Sequence, residues 1–460
     1  MYNAYITRIK NLHKHPNADR LQIGECFGNS VIVSMDYEDN QLGVYFPSDG
    51  QLSVEFAKAN NLLRKKDAAG NNAGGYMDPD KRNITAIKLR GEKSDGLFLP
   101  LKSLESFGDI KTLSEGDKID IFNGHEICRK YIPLKQHHQG RYSAGNRTHR
   151  KKVPVAPLFA EHADTEQLAY NLGAFKSGDE IEITLKLHGT SMRTGYLPIL
   201  KGYKRTFIDK ILHREGKPIY EYDYVSGTRR TVLEDFDGSN AFRKQHHDKF
   251  VGKLHKGEEI YYEVVGFTDT GAPIMGNGDN TKLNDKNFVK QYGKTTTFSY
   301  GCDCAEQAWR EDREQDPDKP QSDIYVYRMT MTNEDGFVVE YTPDFMRYRC
   351  EQMGVKTVPV FDKFFYIPEI QLSQSSEDGS PVWTPVTNPG EYVLDRAERY
   401  SDGPDPIGKT HIREGVVVRI INRPKFCAYK HKNFSFRALS GIVKDTVNVD
   451  SMSEDMIAEL

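Results

Sequence analysis

The stretch that most constrains this chain is Glu180-Ile-Glu-Ile-Thr-Leu-Lys186-Leu-His188-Gly189-Thr190-Ser191. Ile181, Ile183, Leu185 and Leu187 alternate with Glu182, Thr184, Lys186 and His188, the period of a strand with one buried face. Such a strand lays its aliphatic row on a core and leaves Lys186 on the opposite face. Gly189 then frees the backbone for a sharp turn. A lysine at a strand end can serve as a nucleophile, because desolvation or a nearby cation lowers its pKa. A surface lysine before an ordinary turn is the other reading, and the rest of the chain decides between them.

At 460 residues, 37% hydrophobic and 28% charged, the sequence describes a globular protein of about two or three domains. No apolar run approaches the roughly 20 residues that span a bilayer, and the N-terminus lacks the layout of a secretory signal. The six cysteines, Cys26, Cys128, Cys302, Cys304, Cys350 and Cys427, are sparse and irregular, which points to free thiols in a reducing, cytoplasmic compartment. Cys302-Asp-Cys304 has no second pair at zinc-site spacing. Lysine plus arginine numbers 63 against 66 acids, so net charge announces no nucleic-acid partner. Its distribution says more: from Arg129 to Lys152 the charged residues are all basic, and from Asp445 to Glu459 they are all acidic. The basic run reads either as a solvated linker or as a flexible phosphate-contacting segment.

Residues 1–125 contain short alternating runs separated by Asn, Asp, Gly and Pro, the pattern of a small β domain. His15-Pro16-Asn17-Ala18-Asp19 is a turn between the first strands, and its own reading is scaffold. Residues 126–160 form the basic linker, and Asp164 to Asn171 is expected to make a short capped helix. After the Lys186 strand come Ser226-Gly-Thr-Arg229-Arg230, then Glu263 in an apolar strand, and Tyr327 in a strand with alternating aromatics. Glu414-Gly415 and the Lys430-His-Lys432 pair follow. Lys430 and Lys432, two apart, project from one face of a strand.

In order and content, Lys186-x-His188-Gly189, Glu263, Tyr327, Glu414-Gly415 and Lys430-x-Lys432 resemble motifs I, III, IIIa, IV and V of the covalent nucleotidyltransferases. The His15–Asp19 phrase, Tyr45-Phe-Pro-Ser-Asp49, Ile84 to Gly91 and Ser94 to Pro100 resemble the N-terminal OB domain of ATP-dependent RNA ligases of the Deinococcus/Naegleria type. The resemblance implies an α+β chain: an OB-like β-barrel over 1–125, then a mixed α/β nucleotidyltransferase domain over 161–440 built on antiparallel sheets, in an ATP-grasp-like ligase fold. Residues 441–460 are left as an acidic tail.

The implied reaction takes ATP and Mg²⁺ (or Mn²⁺) and joins RNA 3′-OH and 5′-phosphate ends through a lysyl-AMP; a DNA ligase or mRNA-capping guanylyltransferase, which share the motif order, and a catalytically inactive RNA-binding protein are the alternative readings. Lys186 is then the nucleophile, and like charges from the metal and from Lys430 and Lys432 disfavour its ammonium form. Lys430 and Lys432 hold the α-phosphate. Glu414 orients the metal, Glu263 accepts from the ribose, and Tyr327 stacks on adenine. Arg193 and the Arg229/Arg230 pair compete for a phosphate or ribose contact. Two departures stand out: His188 occupies a position where many relatives carry aspartate, and Leu168 to Asn171 offers no basic residue before motif I.

Overall fold

The computed structural model describes residues 2–48, 50–65, 75–131, 154–159, 162, 165–211, 216–229, 231–233, 235–283, 285–304, 320–367, 371–375, 381–384, 389–439 and 443–444. Arg230, most of the basic run and all of the acidic tail except Val443–Lys444 lie outside them. Two compact units emerge, one drawn from residues 2–131, 279–294 and 437–444, the other from 154–278 and 295–436. No helix among the described residues is long and apolar enough to cross a membrane.

The first unit is built of short antiparallel sheets. One runs Leu97–Pro100, Leu42–Phe46, Ala4–Arg8, Lys118–Ile119; another pairs Lys10–Lys14, Leu21–Cys26 and Asn29–Ser34. Its core of Ile6, Val44, Phe46, Leu52, Phe56 and Leu104 is closed to solvent. Among the described residues its strands pair in several small sheets, and no closed barrel is found. The His15–Asp19 turn is scaffold. His15 is buried, its Nε2 meets the Leu89 carbonyl at 3.2 Å, and its Nδ1 accepts the Asn17 amide at 3.1 Å. Arg90 completes the turn by donating to the Asn17 carbonyl at 3.0 Å, and the Asn17 amide returns a bond to Arg90 at 2.8 Å.

The second unit carries two larger sheets. Its principal elements are β1 (Asp179–Lys186), β2 (Thr190–Lys204), β3 (Lys217–Gly227), β4 (Glu258–Gly266), β5 (Ser322–Thr332), α1 (Pro343–Met353), β6 (Val360–Tyr366), β7 (Gly415–Ile420) and β8 (Cys427–Lys432). One sheet runs Glu166–Gln167, β8, β7, β1, β6; the other runs Val232–Leu233, β3, β2, β4, β5, Val338–Glu340. Only Leu187, His188 and Gly189 separate β1 from β2, so the chain passes from one sheet to the other immediately after Lys186. Every pairing among the named strands is antiparallel.

The alternation in β1 does what its sequence requires. Ile181 and Ile183 join Val416, Val418 and Ile420 of β7 in a core that Val393 and Ala397, from the helix Pro389–Ser401, help to close. A second core gathers Met192, Tyr262, Val264, Ile324 and Val326 under α1, which contributes Met346, Cys350 and Met353. Helix α1 starts at Thr342, whose hydroxyl accepts the Phe345 amide, and ends at Gly354 in the left-handed conformation. The helix expected over Asp164–Asn171 does not form. Glu166–Gln167 instead adds a parallel edge to β8, and Leu168–Tyr170 makes one 3-10 turn. Pairing to an open sheet edge satisfies backbone groups that an isolated short helix leaves to water.

Candidate active site

A cleft is lined by Glu182, Thr184, Leu185 and Lys186 from β1, by Leu187 just after it, and by Val417 and Arg419 from β7. Glu263 and Tyr327 from the other sheet, and Arg229 from the turn that follows β3, complete the lining named here. The register explains the gathering: Lys186 lies opposite Gly415, which lies opposite Lys432, and Ser191 lies opposite Glu263.

At one end two ammonium groups converge on one carboxylate oxygen. Lys186 Nζ is 2.8 Å and Lys432 Nζ 3.0 Å from Glu414 Oε1, and His188 Nδ1 stands 3.6 Å from Oε2. Glu414 is 3% exposed. Burial opposes its charge, but Lys186, then Lys432 and His188, overcome that and hold the carboxyl well below the usual carboxylate range. Glu263 goes the other way. Burial pushes it up to about 7, with Glu414 adding to the rise while Lys186, Arg229 and Arg243 oppose it. The cluster thus pairs an ionised carboxylate with one that titrates near neutrality.

Two glycines make these approaches possible. A Cβ on Gly189 would sit 2.5 Å from the Val264 carbonyl and 2.7 Å from Glu263 Cγ. Its backbone is outside the left-handed region, so close passage over β4, rather than the expected sharp turn, requires glycine there. Gly415 has φ 146°, and a Cβ would lie 2.1 Å from the His431 carbonyl. His188 is fixed by its backbone amide, which donates to Tyr300 at 2.7 Å, and by the ring edges of Phe298 and Phe436 at 4.7 and 4.8 Å.

Tyr327 walls the cleft and shares a hydrogen bond with Ser191 Oγ at 3.1 Å. The His162 ring lies nearly parallel to it, at 5.7 Å and 21°. Arg229 lines the cleft near this ring, its carbonyl accepting the His162 amide at 3.0 Å.

Two expected residues sit elsewhere. Arg193 is 1% exposed and locked inside the sheet: Nη1 donates to Glu259 and Nε to the Thr228 carbonyl, both at 3.0 Å, and the guanidinium lies 3.7 Å over Phe159. A side chain so enclosed is structural, and a phosphate or ribose contact by it is set aside. Lys432 meets Glu414, while Lys430 is half-buried opposite Val417; neither lysine is among the residues that line the cleft.

The structure adds residues that the motifs passed over: His162, Arg243, Arg347, Arg419 and Phe426. Arg243 donates to the Thr190 hydroxyl at 2.7 Å, bracing the start of β2. Arg347 reaches Glu182 from α1 with two bonds, at 3.1 and 2.8 Å. Its spacing to Asp344 is the one local signal, an i,i+3 ion pair at 2.6 Å.

The chain's fold has solved counterparts. No protein-family model matches the chain, and no curated protein does. Among solved structures, Naegleria gruberi RNA ligase with PPi is similar at a TM-score of 0.51 and 15% identity, over 94% of this chain and 97% of that one. A mutant of the same ligase with ATP and Mn aligns at 0.51 and 16% identity, covering 95% and 99%. A further mutant with AMP and Mn aligns at 0.50 and 14%, covering 94% and 97%. The likeness is one of fold, and it runs nearly the full length of both chains.

Proposed function

We propose that the chain is an ATP-dependent RNA ligase that joins a 3′-hydroxyl to a 5′-phosphate, with Lys186 as the adenylated nucleophile. The observation that carries this reading is the convergence of Lys186 and Lys432 on Glu414 Oε1, at the end of a cleft walled by Tyr327. The unprotonated Lys186 amine attacks the α-phosphorus of ATP; an N–P bond forms and the bond to pyrophosphate breaks. An RNA 5′-phosphate oxygen then displaces the lysine, and an RNA 3′-hydroxyl finally displaces AMP. Each step is in-line phosphoryl transfer, in which positioning and charge neutralisation supply most of the acceleration.

Glu414 accepts from Lys186 before nucleotide enters and orients the amine; Lys432 then shares its charge with the α-phosphate. Tyr327 stacks on the base and Glu263 takes a ribose hydroxyl. Arg229 faces the phosphates, joined in this proposal by Arg230. An ionised, buried carboxylate with a second carboxyl nearby is an oxygen-donor set that suits a hydrated Mg²⁺ or Mn²⁺. Glu414 would hold that ion, which when bound draws charge from the phosphoryl oxygens. The first unit, read as an OB-like module, contributes RNA contacts. RNA repair is the fitting role for such a joining activity.

The test is end-joining with matched RNA and DNA nicks, single strands and hairpins, each with ATP and Mg²⁺. Sealing of RNA ends that needs both a 3′-OH and a 5′-phosphate is the expected result. Sealing of DNA alone, or binding of RNA without any joining, removes the proposal.

A further inference from the structure

The crossover from β1 to β2 is held from outside both sheets, by a residue the phosphoryl-transfer reading does not use. The ladder between β1 and β7 ends at Lys186 opposite Gly415, and the ladder between β2 and β4 begins at Thr190 opposite Val264, so His188 belongs to neither. Its amide donates instead to the Tyr300 hydroxyl at 2.7 Å, across a separation of 112 positions in the chain. Tyr300 is 2% exposed, and it and the following Gly301 take φ 50° and 77°. A bulky residue rarely enters the left-handed region, and a backbone strained in that way persists only where its surroundings over-determine it.

Those surroundings are a second loop, residues 401–412. Asp405 closes it: its amide donates to the His411 carbonyl at 2.8 Å, and its Oδ1 accepts the Ile407 amide at 2.8 Å. Gly408 then meets Tyr300 backbone to backbone, and a Cβ there would lie 3.0 Å from the Gly301 nitrogen and 3.3 Å from Tyr300 Cα. The His411 ring stands edge-on to the Tyr300 ring at 4.5 Å, and Phe298 lies edge-on to both His411 and His188, at 5.2 and 4.7 Å. Burial, with the negative charge of Asp405, holds the Tyr300 phenol well above its usual range, so the hydroxyl that meets His188 is neutral. A tyrosine that only filled the space between two loops would need neither that hydroxyl nor the strain.

Resting on the proposed nucleotidyl transfer, we infer that Tyr300 is a positioning residue for Lys186. Its hydroxyl anchors the crossover two residues beyond the lysine and so fixes the direction in which the end of β1 presents the amine. With the crossover anchored, Lys186 and His188 reach different oxygens of Glu414, at 2.8 and 3.6 Å. Without the anchor the amine drifts from its in-line approach to phosphorus, and a misplacement of about 1 Å costs up to about a hundredfold in rate. Tyr300 itself touches no reacting atom; it acts through the backbone of His188.

The test is single-turnover labelling of the full chain by ATP with Mg²⁺, read as a rate constant at saturating ATP and a half-saturating ATP concentration. Tyr300→Phe removes the hydroxyl and keeps the ring. Its rate constant is expected to fall about tenfold to hundredfold while half-saturation shifts by less than about twofold. Deuterium uptake by the peptide spanning residues 185–191 should quicken in the same variant, a change in the anchor that does not depend on activity. Gly408→Ala keeps the hydroxyl but presses on the Tyr300 backbone, and is expected to lower the same constant by about threefold or more. Wild-type rate constants in both variants overturn the inference, as does a loss carried by half-saturation alone. It is overturned equally if the His188 amide of the wild type exchanges as fast as that of an exposed loop, and that arm needs no variant to fold. Absence of labelling in the wild type overturns the nucleotidyl-transfer reading beneath it, a result distinct from labelling that Tyr300→Phe leaves unchanged.

Discussion

Strand β4 carries Glu259 and Glu263 four residues apart, and burial pushes both carboxyls up to about 7. Their surroundings differ. Glu259 is 2% exposed and closed in by Arg193, which Thr228 and Phe159 hold in place. Glu263 lines the cleft, with Lys186 and Glu414 as its main charged neighbours. A raised pKa therefore marks burial in both places, and only the open side of Glu263 offers chemistry. The pair Arg193–Glu259 ties β2 to β4 at one level, and the crossover from Lys186 enters β2 at Thr190, opposite Val264 of β4. One region is spent on holding the sheet, the other is left open for a substrate.

Mutations should separate the two regions. The largest effect is expected from Lys186→Ala, which removes the proposed nucleophile; formation of the proposed covalent adduct should fall by more than about a thousandfold. Lys432→Ala and Glu414→Gln should each slow adduct formation by about 10²–10³, as loss of a preorganised charge does, with single-turnover labelling as the readout. Arg193→Met inverts the pattern. Breaking a buried ion pair should cost about 3–5 kcal/mol in denaturant unfolding, while the molecules that remain folded still form adduct. If Arg193→Met instead abolished labelling at undiminished stability, the division between the regions would collapse.

The smallest effect is a pH dependence. A carboxyl raised from 4.5 to about 7 stays protonated in the folded chain while the unfolded chain ionises. Its contribution is fully present below pH 4.5 and is lost as pH rises through 7. Glu263→Gln should therefore flatten part of the fall in stability across that window, and Glu259→Gln should combine the same flattening with a general loss of stability. Melting curves at closely spaced pH values measure both.

Much of the cleft was legible in the residues because strands with one buried face announce themselves. The Ile181–Leu187 row fixed which face Lys186 takes, and Glu263, Tyr327, Glu414 and Lys432 each stand in or beside a strand with a clear apolar pattern. What the sequence hid is register and direction. Nothing local says that Arg419 faces Glu182, since that depends on how β7 pairs with β1. Arg193 follows motif I as a functional arginine would, yet its partner Glu259 comes from a strand far along the chain. Arg347 is one charged residue among several on a short helix. The sequence suggests a turn at Gly189, whereas the approach of β4 is what excludes a side chain there. The sequence also gives no sign that residues 279–294 leave the second unit to pack with the first.

The most direct measurement is intact-mass spectrometry of the protein with ATP and Mg²⁺, followed by peptide mapping. The account predicts an added adenylyl group, acid-labile as a phosphoramidate is, on the peptide bearing Lys186 and nowhere else, reversed by pyrophosphate and absent from Lys186→Ala. An unmodified chain after pre-bound AMP has been stripped with pyrophosphate, or an adduct that persists in Lys186→Ala, would contradict it.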